Sequence, residues 1–134
     1  FYFNRPIERD KRIMKKTKML KKNYEFKNVL TKGKYYSGKY IDAYIKKNKG
    51  NGNFLGIAIS VKIAKAVRRN HIKRLIRENY QQIENYIKPG NTIVFLCKKH
   101  VVLREINYYN IKKDVEVILK KSEILEELDE KNTN

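Results

Sequence analysis

The spacing of hydrophobic residues differs between segments of the chain, and the succession of these spacings predicts an α/β fold. Three segments space apolar residues three and four apart, as helices do: 23–33, 66–87 and 105–122. Four shorter segments alternate in polarity or are apolar almost throughout, as strands are: 34–37, 40–47, 54–61 and 91–98. The predicted order is α-β-β-β-α-β-α, a two-layer sandwich with one four-stranded sheet, whose strand–helix–strand unit would normally cross over right-handed.

This periodic pattern is confined to residues 18–122, which we interpret as one folded domain. Residues 1–17 mix basic and aromatic side chains and are predicted to be a flexible basic extension. The chain begins with Phe1, and Met14 is a candidate original start, which would make the preceding residues an upstream addition. Residues 123–134 hold five acidic side chains against Lys131 and are expected to extend the last helix and then fray. This acidic tail either is solvated surface or dampens non-specific RNA binding.

The charge balance indicates a polyanionic partner. The 134 residues carry a net charge of +18, which favours nucleic acid first and an anionic membrane surface second. No segment approaches the roughly 18 apolar residues of a membrane-spanning helix, and no signal peptide is visible. The one cysteine, Cys97, excludes an intramolecular disulfide and a cysteine-rich zinc site. It is predicted to be a small buried hydrophobe, in keeping with a reducing, cytosolic setting.

The predicted helix 66–87 separates apolar and basic side chains. Its apolar face is predicted to hold Ile72, Leu75, Ile76, Ile83, Tyr86 and Ile87. The neighbouring arc, roughly 100° wide by the same helical spacing, holds Asn70, Lys73, Arg74 and Arg77. One side is therefore expected to pack on a core, and the other presents a row of cations.

This row of cations opposes the local rules of helix stability. Lys65, Arg68 and Arg69 crowd the first turn, where the helix dipole disfavours positive charge, and like charges recur four residues apart. A bound polyanion would turn both repulsive effects into attraction, and the free N–H groups of the helix start would accept a phosphate. The alternative is that the basic face is merely solvated.

Motifs for catalysis by the protein itself are missing. The sequence has no phosphate-binding glycine loop and no paired-cysteine or zinc-protease motif. A two-histidine nuclease would need both His71 and His100, and the scattered acidic residues argue against a carboxylate metal cluster. A phosphate-binding surface needs only Lys, Arg and Asn donors on a rigid element. A general RNA-binding protein and a protein-only nuclease remain the alternatives.

The basic helix also carries an extended signature, Ala66-Val67-x-Arg69-Asn70-x-x-Lys73-Arg74-x-x-Arg77. It resembles the Arg-Asn-Arg signature of the bacterial ribonuclease P protein family, and the resemblance extends over residues 19–125. It implies a ribosomal protein S5 domain 2-like fold with a left-handed crossover. It also implies a cytoplasmic subunit that binds a catalytic RNA and helps it remove the 5′ leader of precursor tRNA. Mg²⁺ would be held mainly by the RNA, with no organic cofactor, no membrane and no obligate protein partner.

The resemblance assigns two sets of binding residues and no catalytic or metal-binding residue. The catalytic-RNA set is Lys65, Arg68, Arg69, Asn70, His71, Lys73, Arg74 and Arg77, with His71 standing where the family usually has Arg. The second set would line a cleft for the single-stranded leader and consists of Phe26, Leu30, Tyr44, Lys62 and Lys98. Leu30 replaces a usual Phe, and the loop 62–65 has four residues where the family usually has six.

Overall fold

One mixed sheet organises the chain in the computed structural model, which describes residues 16–126. Its strands are β1 (Thr17–Met19), β2 (Lys34–Ser37), β3 (Ile41–Lys47), β4 (Asn53–Ala58) and β5 (Asn91–Cys97). They lie in the order β1-β4-β5-β3-β2. The pairs β1–β4 and β4–β5 are parallel, whereas β3 is antiparallel to both β5 and β2.

The prediction of a four-stranded sheet is wrong, because β1 adds a fifth strand at one edge. Thr17 pairs with Asn53, and its Oγ1 lies 2.7 Å from the buried hydroxyl of Tyr80. Three residues are too few to display an alternating pattern, so this strand has no periodic signal in the sequence. Thr17 lies one residue before the predicted start of the domain, and residues 1–15 of the predicted extension lie outside the described residues.

The three helices are α1 (Asn23–Lys32), α2 (Ala66–Ile83) and α3 (Tyr108–Lys121). α2 ends earlier than predicted, since Glu84–Tyr86 forms a 3₁₀ turn. This turn exposes Tyr86, which was predicted to lie on the apolar face, whereas Tyr80 is fully buried. α3 begins three residues later than predicted, because the Asn107 side chain accepts a hydrogen bond from the Asn110 N–H and caps the helix.

One face of the sheet carries the main core. The alternate residues Ile41, Ala43 and Ile45 of β3 point to α2 and α3, as do Ile93 and Phe95 of β5. The predicted helix residues Ile72, Leu75 and Ile76 are buried against them, and Cys97 is buried as predicted. Removal of these apolar side chains from water is the main force that holds the two layers together.

A buried carboxylate fixes the turn between β2 and β3 against α3. The two Asp114 oxygens accept hydrogen bonds from the N–H groups of Lys39, Tyr40 and Ile41, at 2.9, 2.6 and 3.0 Å. A Cβ at Gly38 would lie 2.7 Å from the Asp114 Cγ, so this close approach requires glycine. The turn is therefore attached to the helix layer by charge-assisted hydrogen bonds.

The start of the acidic tail packs against the domain. The chain leaves α3 through Glu123, whose φ is 61°, and then Ile124 is buried and Leu125 forms an antiparallel bridge with Ile87. This reversal rules out the expectation that the tail extends α3 at these positions. Residues 127–134 lie outside the described residues. Within residues 16–126, no helix is both long and apolar enough to cross a membrane.

Candidate nucleic-acid interface

α2 presents a basic surface opposite its buried side. We call Asn70, Lys73, Arg74 and Arg77 the cationic face of α2. Asn70 and Arg74 are exposed, Lys73 and Arg77 are half-buried, and the first turn of the helix contains no acidic residue. Neither Lys73 nor Arg77 has a hydrogen bond or an ion pair within residues 16–126.

Two arginines of the predicted catalytic-RNA set are used inside the protein. The Arg68 guanidinium donates to the carbonyl oxygens of Leu103 and Ile106, the second at 3.4 Å. The Arg69 Nη1 donates to the Ala64 carbonyl at 2.7 Å. These bonds attach the start of α2 to the neighbouring loops, and they engage donors that the sequence alone suggested would face RNA.

The remaining members of the set lie on the helix surface. Lys65 is exposed at the N-cap position. An Arg74 nitrogen lies 3.4 Å from the His71 Nδ1 and another lies 3.9 Å from Glu78, with both side chains of the ion pair about half exposed. Exposed pairs of this kind contribute little to stability, so Arg74 can readily exchange Glu78 for a phosphate.

The cationic face lies beside the β1 edge of the sheet. Tyr80 follows Arg77 by three residues, on the same side of the helix, and its hydroxyl meets Thr17 of β1. The Lys16 N–H donates to the Glu84 carboxylate at 3.1 Å, and the side chains of Lys16 and Lys18 are exposed. Lys16 and Lys18 alternate with Thr17, whose side chain meets Tyr80 of α2, so their charges project toward the opposite face of the sheet, on the side of α1.

The second candidate surface is a cleft on the sheet face that α2 and α3 leave uncovered. The registers align Tyr35, Tyr44, Val94 and Gly56 across four strands of this face. They also align a second row, which consists of Ser37, Asp42, Leu96 and Ala58. We call the part of these rows beside α1 the cleft.

α1 forms one wall of this cleft through Phe26 and Leu30, which follow each other at helical spacing and are both half-buried. The ring of Phe26 rests on the backbone of Gly56, where an added Cβ would lie 2.6 Å from the Phe26 Cε1. Tyr24 and Asn28 lie on the other side of α1, beside a separate cavity of about 240 Å³ that also involves Lys46 and Phe54. That cavity contains none of the predicted leader-binding residues.

Lys98 of the predicted cleft set is paired inside the protein. Its Nζ lies 2.6 Å from an Asp42 oxygen and 2.8 Å from the Ser37 Oγ. The hydrogen bond with Asp42 raises the pKa of the Lys98 ammonium, and the nearby Tyr35 hydroxyl contributes further. Lys98 therefore stays charged, but much of its field is neutralised at short range.

Lys62 and Lys98 lie near the same end of the sheet, because β4 and β5 are parallel and each residue follows the carboxyl end of its strand. Lys62 is exposed in a turn where the Ser60 Oγ accepts the Lys62 N–H. Tyr44 lies on the cleft face opposite Tyr35, with 5.2 Å between the ring centroids. Tyr44 and Lys98 therefore lie on the same face of the sheet. Phe26 borders this face from α1.

Sequence reasoning missed Tyr35 and Asp42 as cleft residues. Both follow from the alternation of β2 and β3, since strand partners in register project to one face. The missing information was the register itself, which pairs Tyr35 with Tyr44 and Ser37 with Asp42.

The described residues hold no metal-binding cluster, since no group of three or more His, Cys, Asp or Glu among them is arranged to hold an ion. Burial raises the pKa of the Cys97 thiol, and the negative charge of Asp42 raises it further, which disfavours the reactive thiolate. His100 lines a pocket with Lys39 and Lys99, whereas His71 lies on α2.

Together, the fold and the two surfaces define a small basic α/β-sandwich protein with a cationic helix and an open sheet cleft. The ribonuclease P family model matches residues 14–123. A ribonuclease P protein component from Clostridioides difficile is 38% identical over 110 residues, which cover 81% of this chain and 95% of the relative. One from Listeria welshimeri is 32% identical, with coverages of 85% and 95%.

Solved structures agree with these relatives. The RNase P protein of Staphylococcus aureus superimposes with a TM-score of 0.71 at 29% identity, covering 80% of this chain and 96% of that one. The RNase P protein from Thermotoga maritima gives 0.70 at 25% identity, with coverages of 78% and 96%. The chain belongs to the ribonuclease P protein family. The family implies a role in tRNA processing as a subunit of an endoribonuclease that has an RNA partner.

Proposed function

We propose that this protein binds the catalytic RNA of ribonuclease P through α2 and the 5′ leader of precursor tRNA through the cleft. In this role it assists RNA-catalysed, Mg²⁺-dependent hydrolysis that gives the mature 5′ end of tRNA. The protein acts in the cytoplasm, contributes no catalytic group of its own and needs no further protein partner. The left-handed crossover implied by the resemblance stays a prediction.

The observation that carries the proposal is the cationic face of α2. Lys73 and Arg77 have no partner among residues 16–126, and Arg74 has only an exposed one. A helix that keeps like charges four residues apart experiences a repulsion that a polyanion would relieve. Arg and Lys on a rigid helix bind phosphate oxygens without the need for a base sequence.

Arg68 and Arg69 have a supporting role in this proposal. Their guanidinium groups bond to carbonyl oxygens of the loops that flank the start of α2. We therefore assign the direct phosphate contacts to Lys65, Asn70, Lys73, Arg74 and Arg77, with His71 as a further donor. Arg68 and Arg69 hold the helix in the orientation that those contacts require.

The cleft supports the second half of the proposal. Phe26 and Tyr44 offer ring faces, Leu30 offers an apolar wall, and Lys62 and Lys98 lie near the end of the sheet. Unpaired bases stack on aromatic side chains with little dependence on their identity. A cleft of this kind suits a single-stranded leader whose sequence varies from one precursor tRNA to the next.

Mg²⁺ belongs with the RNA in this proposal. Asp42, the acidic side chain of the cleft, is paired with Lys98, and no cluster of metal-ligating side chains exists within residues 16–126. The donor set therefore does not fit a resident divalent ion in the described part of the chain. RNA phosphates would hold the Mg²⁺ ions that activate water and stabilise the leaving group.

The test is cleavage of a 5′-extended precursor tRNA at low Mg²⁺ with protein alone, ribonuclease P RNA alone, and both together. We expect cleavage at the mature 5′ end that requires the RNA and rises sharply when the protein is added. RNA binding without stimulation would instead favour a general RNA-binding role. Cleavage by the protein alone would contradict the proposal.

A further inference from the structure

We propose that the protein has a further anion-binding site, a recess beyond the start of α2 that binds a backbone phosphate of the catalytic RNA. Lys39, Lys99 and His100 line this recess, which has a volume of about 320 Å³. We call it the phosphate recess. The proposal rests on the proposed function, because it adds a contact to the RNA that α2 binds.

Two separate segments form the phosphate recess. Lys39 lies in the turn between β2 and β3, whereas Lys99 and His100 follow the carboxyl end of β5. The Lys98 N–H donates a hydrogen bond to the Tyr40 carbonyl oxygen at 3.0 Å, and this bond joins the two segments. The side chains of Lys39, Lys99 and His100 are all exposed. The tertiary fold therefore brings together three basic side chains that are not grouped in the sequence.

Hydrogen bonds to both helices of the main core hold the two segments in place. The Asp114 carboxylate of α3 accepts the N–H groups of Lys39 and Tyr40 at 2.9 and 2.6 Å. The Arg68 guanidinium of α2 donates to the Leu103 carbonyl oxygen in the loop after β5. Hydrogen bonds to charged groups are stronger than those between neutral groups. A phosphate would thus meet a backbone that is already ordered, which lowers the entropy cost of binding.

The basic side chains of the recess have few partners inside the protein. Those of Lys99 and His100 form no hydrogen bond or ion pair within residues 16–126. The Lys39 ammonium lies 5.4 Å from the centre of the Tyr40 ring and has no acidic partner in the same part of the chain. A lysine ammonium is a mobile point charge that binds phosphate without a fixed planar geometry. These donors are therefore suited to a phosphate group.

The other charged side chains that line the recess are already bonded. Glu105 accepts a hydrogen bond from the Tyr40 hydroxyl at 3.1 Å. The Lys98 Nζ lies 2.6 Å from an Asp42 oxygen, which neutralises much of its charge. Glu105 is the one acidic residue among the lining residues, and it is outnumbered by the two exposed lysines. The recess therefore keeps a net positive charge.

The position of the recess indicates which RNA it would bind. α2 follows β4 and the recess follows β5, and since these strands are parallel, both lie at the same end of the sheet. Arg68, in the first turn of α2, also donates to the Ile106 carbonyl oxygen of the loop that carries the recess. An RNA strand on the start of α2 can therefore continue to the recess. The recess also borders the cleft through Lys98, so precursor tRNA is the competing ligand.

The first test is a salt titration of the affinity of the full chain for ribonuclease P RNA. The variants are Lys39→Gln, Lys99→Gln, the two combined, and Lys99→Arg. The matched control is Lys113→Gln, because Lys113 is an exposed lysine on α3 outside the recess. Each glutamine variant of the recess should lower the slope of log affinity against log salt by about one, and the double variant by about two. Lys99→Arg and Lys113→Gln should keep the parent slope.

An equal decrease in Lys113→Gln would mean that only the total charge matters, and it would overturn the site. An unchanged slope in the double variant would overturn it as well. Thermal unfolding of each variant checks that the fold is retained, which is expected because the exchanged side chains are exposed.

The second test identifies the RNA by photocrosslinking from Lys99→Cys in the holoenzyme. The native Cys97 is buried, and the parent protein treated with the same reagent is the control. We expect a crosslink to the catalytic RNA both with and without precursor tRNA. A crosslink to precursor tRNA alone, or none to either RNA, would overturn the assignment.

The outcomes separate the phosphate recess from the proposed function. If Arg77→Ala lowers the salt slope and the variants of Lys39 and Lys99 do not, the recess is wrong and RNA binding by α2 remains. If none of these variants changes the slope, both the recess and phosphate binding by α2 are contradicted.

Discussion

The cationic face of α2 and the cleft beside α1 lie on opposite sides of one sheet. They differ in whether their positive side chains are paired with other groups of the described chain. On α2, Lys73 and Arg77 have no partner within residues 16–126. In the cleft, Lys98 is bound to Asp42 and Ser37 and lies near the Tyr35 hydroxyl. Under the function proposed above, this difference predicts that one surface binds RNA through phosphates and the other through bases. It makes salt dependence the property that distinguishes them.

Phe26→Ala should have the largest effect on the cleft. The change removes a ring face, and base stacking contributes about 1–3 kcal/mol for each base. Affinity for precursor tRNA should fall by that amount with an unchanged salt slope, and affinity for mature tRNA should stay the same. Gly56→Ala should act in the same direction, because its Cβ would displace the Phe26 ring. Equal losses with both tRNAs would mean that Phe26 serves only the packing of α1.

Arg77→Ala should have the next largest effect and should act on α2 alone. Loss of one phosphate contact lowers the slope of log affinity against log salt by about one. The measurement is a salt titration of binding to the catalytic RNA, with Lys113→Ala on the exposed side of α3 as the matched control. Arg74→Ala should lower the slope less if Glu78 competes for its guanidinium. A slope unchanged in both arginine variants would mean that this face is only solvated.

Tyr80→Phe tests how firmly α2 is attached to the sheet. The loss of the hydrogen bond to Thr17 should lower the free energy of unfolding by about 1 kcal/mol at neutral pH. Burial raises the pKa of Tyr80 well above its usual 10. Above pH 10 the phenol therefore ionises in the unfolded state first, and stability falls as pH rises. Urea unfolding at increasing pH should show a shallower alkaline loss for Tyr80→Phe, and an unchanged loss would contradict this.

Asp42→Asn should change RNA affinity least of these variants, and it should change it only for precursor tRNA. Removal of the carboxylate charge frees Lys98 to attract a leader phosphate, so leader-dependent affinity should become more sensitive to salt. The gain in affinity should stay below about 1 kcal/mol, because both side chains are partly exposed. The measurement is the salt slope for precursor tRNA relative to mature tRNA. A slope that is unchanged would mean that Lys98 already contacts a phosphate in the parent protein.

The apolar periodicity predicted the helices and four of the five strands because each is long enough to repeat its pattern. β1 was not predicted because it has only three residues and is stabilised by its parallel pairing with β4 and by Tyr80. Tyr86 was misplaced because the 3₁₀ turn after α2 rotates it out of the helical register. Local spacing cannot report such changes, which arise from tertiary contacts.

The residue types of the candidate site could be predicted from the sequence. The hydrogen bonds and ion pairs that its cations form within the protein could not. The spacing of Asn70, Lys73, Arg74 and Arg77 was enough to gather them on one face. The bonds of Arg68 to the loop before α3 and of Lys98 to Asp42 join residues far apart in sequence. Only the strand register and the packing of helices reveal that these cations already have partners.

The measurement that most directly tests this division between two surfaces uses a cleavage probe attached to single introduced cysteines. Ala66→Cys places the probe one helical turn before Asn70, and Lys27→Cys places it between Phe26 and Leu30 on α1. The native Cys97 is buried, and the parent protein treated in the same way serves as the control.

Iron–EDTA attached at these positions cleaves nearby RNA in the complex of protein, catalytic RNA and precursor tRNA. We predict that the probe at position 66 cuts the catalytic RNA and the probe at position 27 cuts the 5′ leader. Cleavage of the leader from position 66, or of the catalytic RNA alone from both positions, would contradict the assignment of the two surfaces.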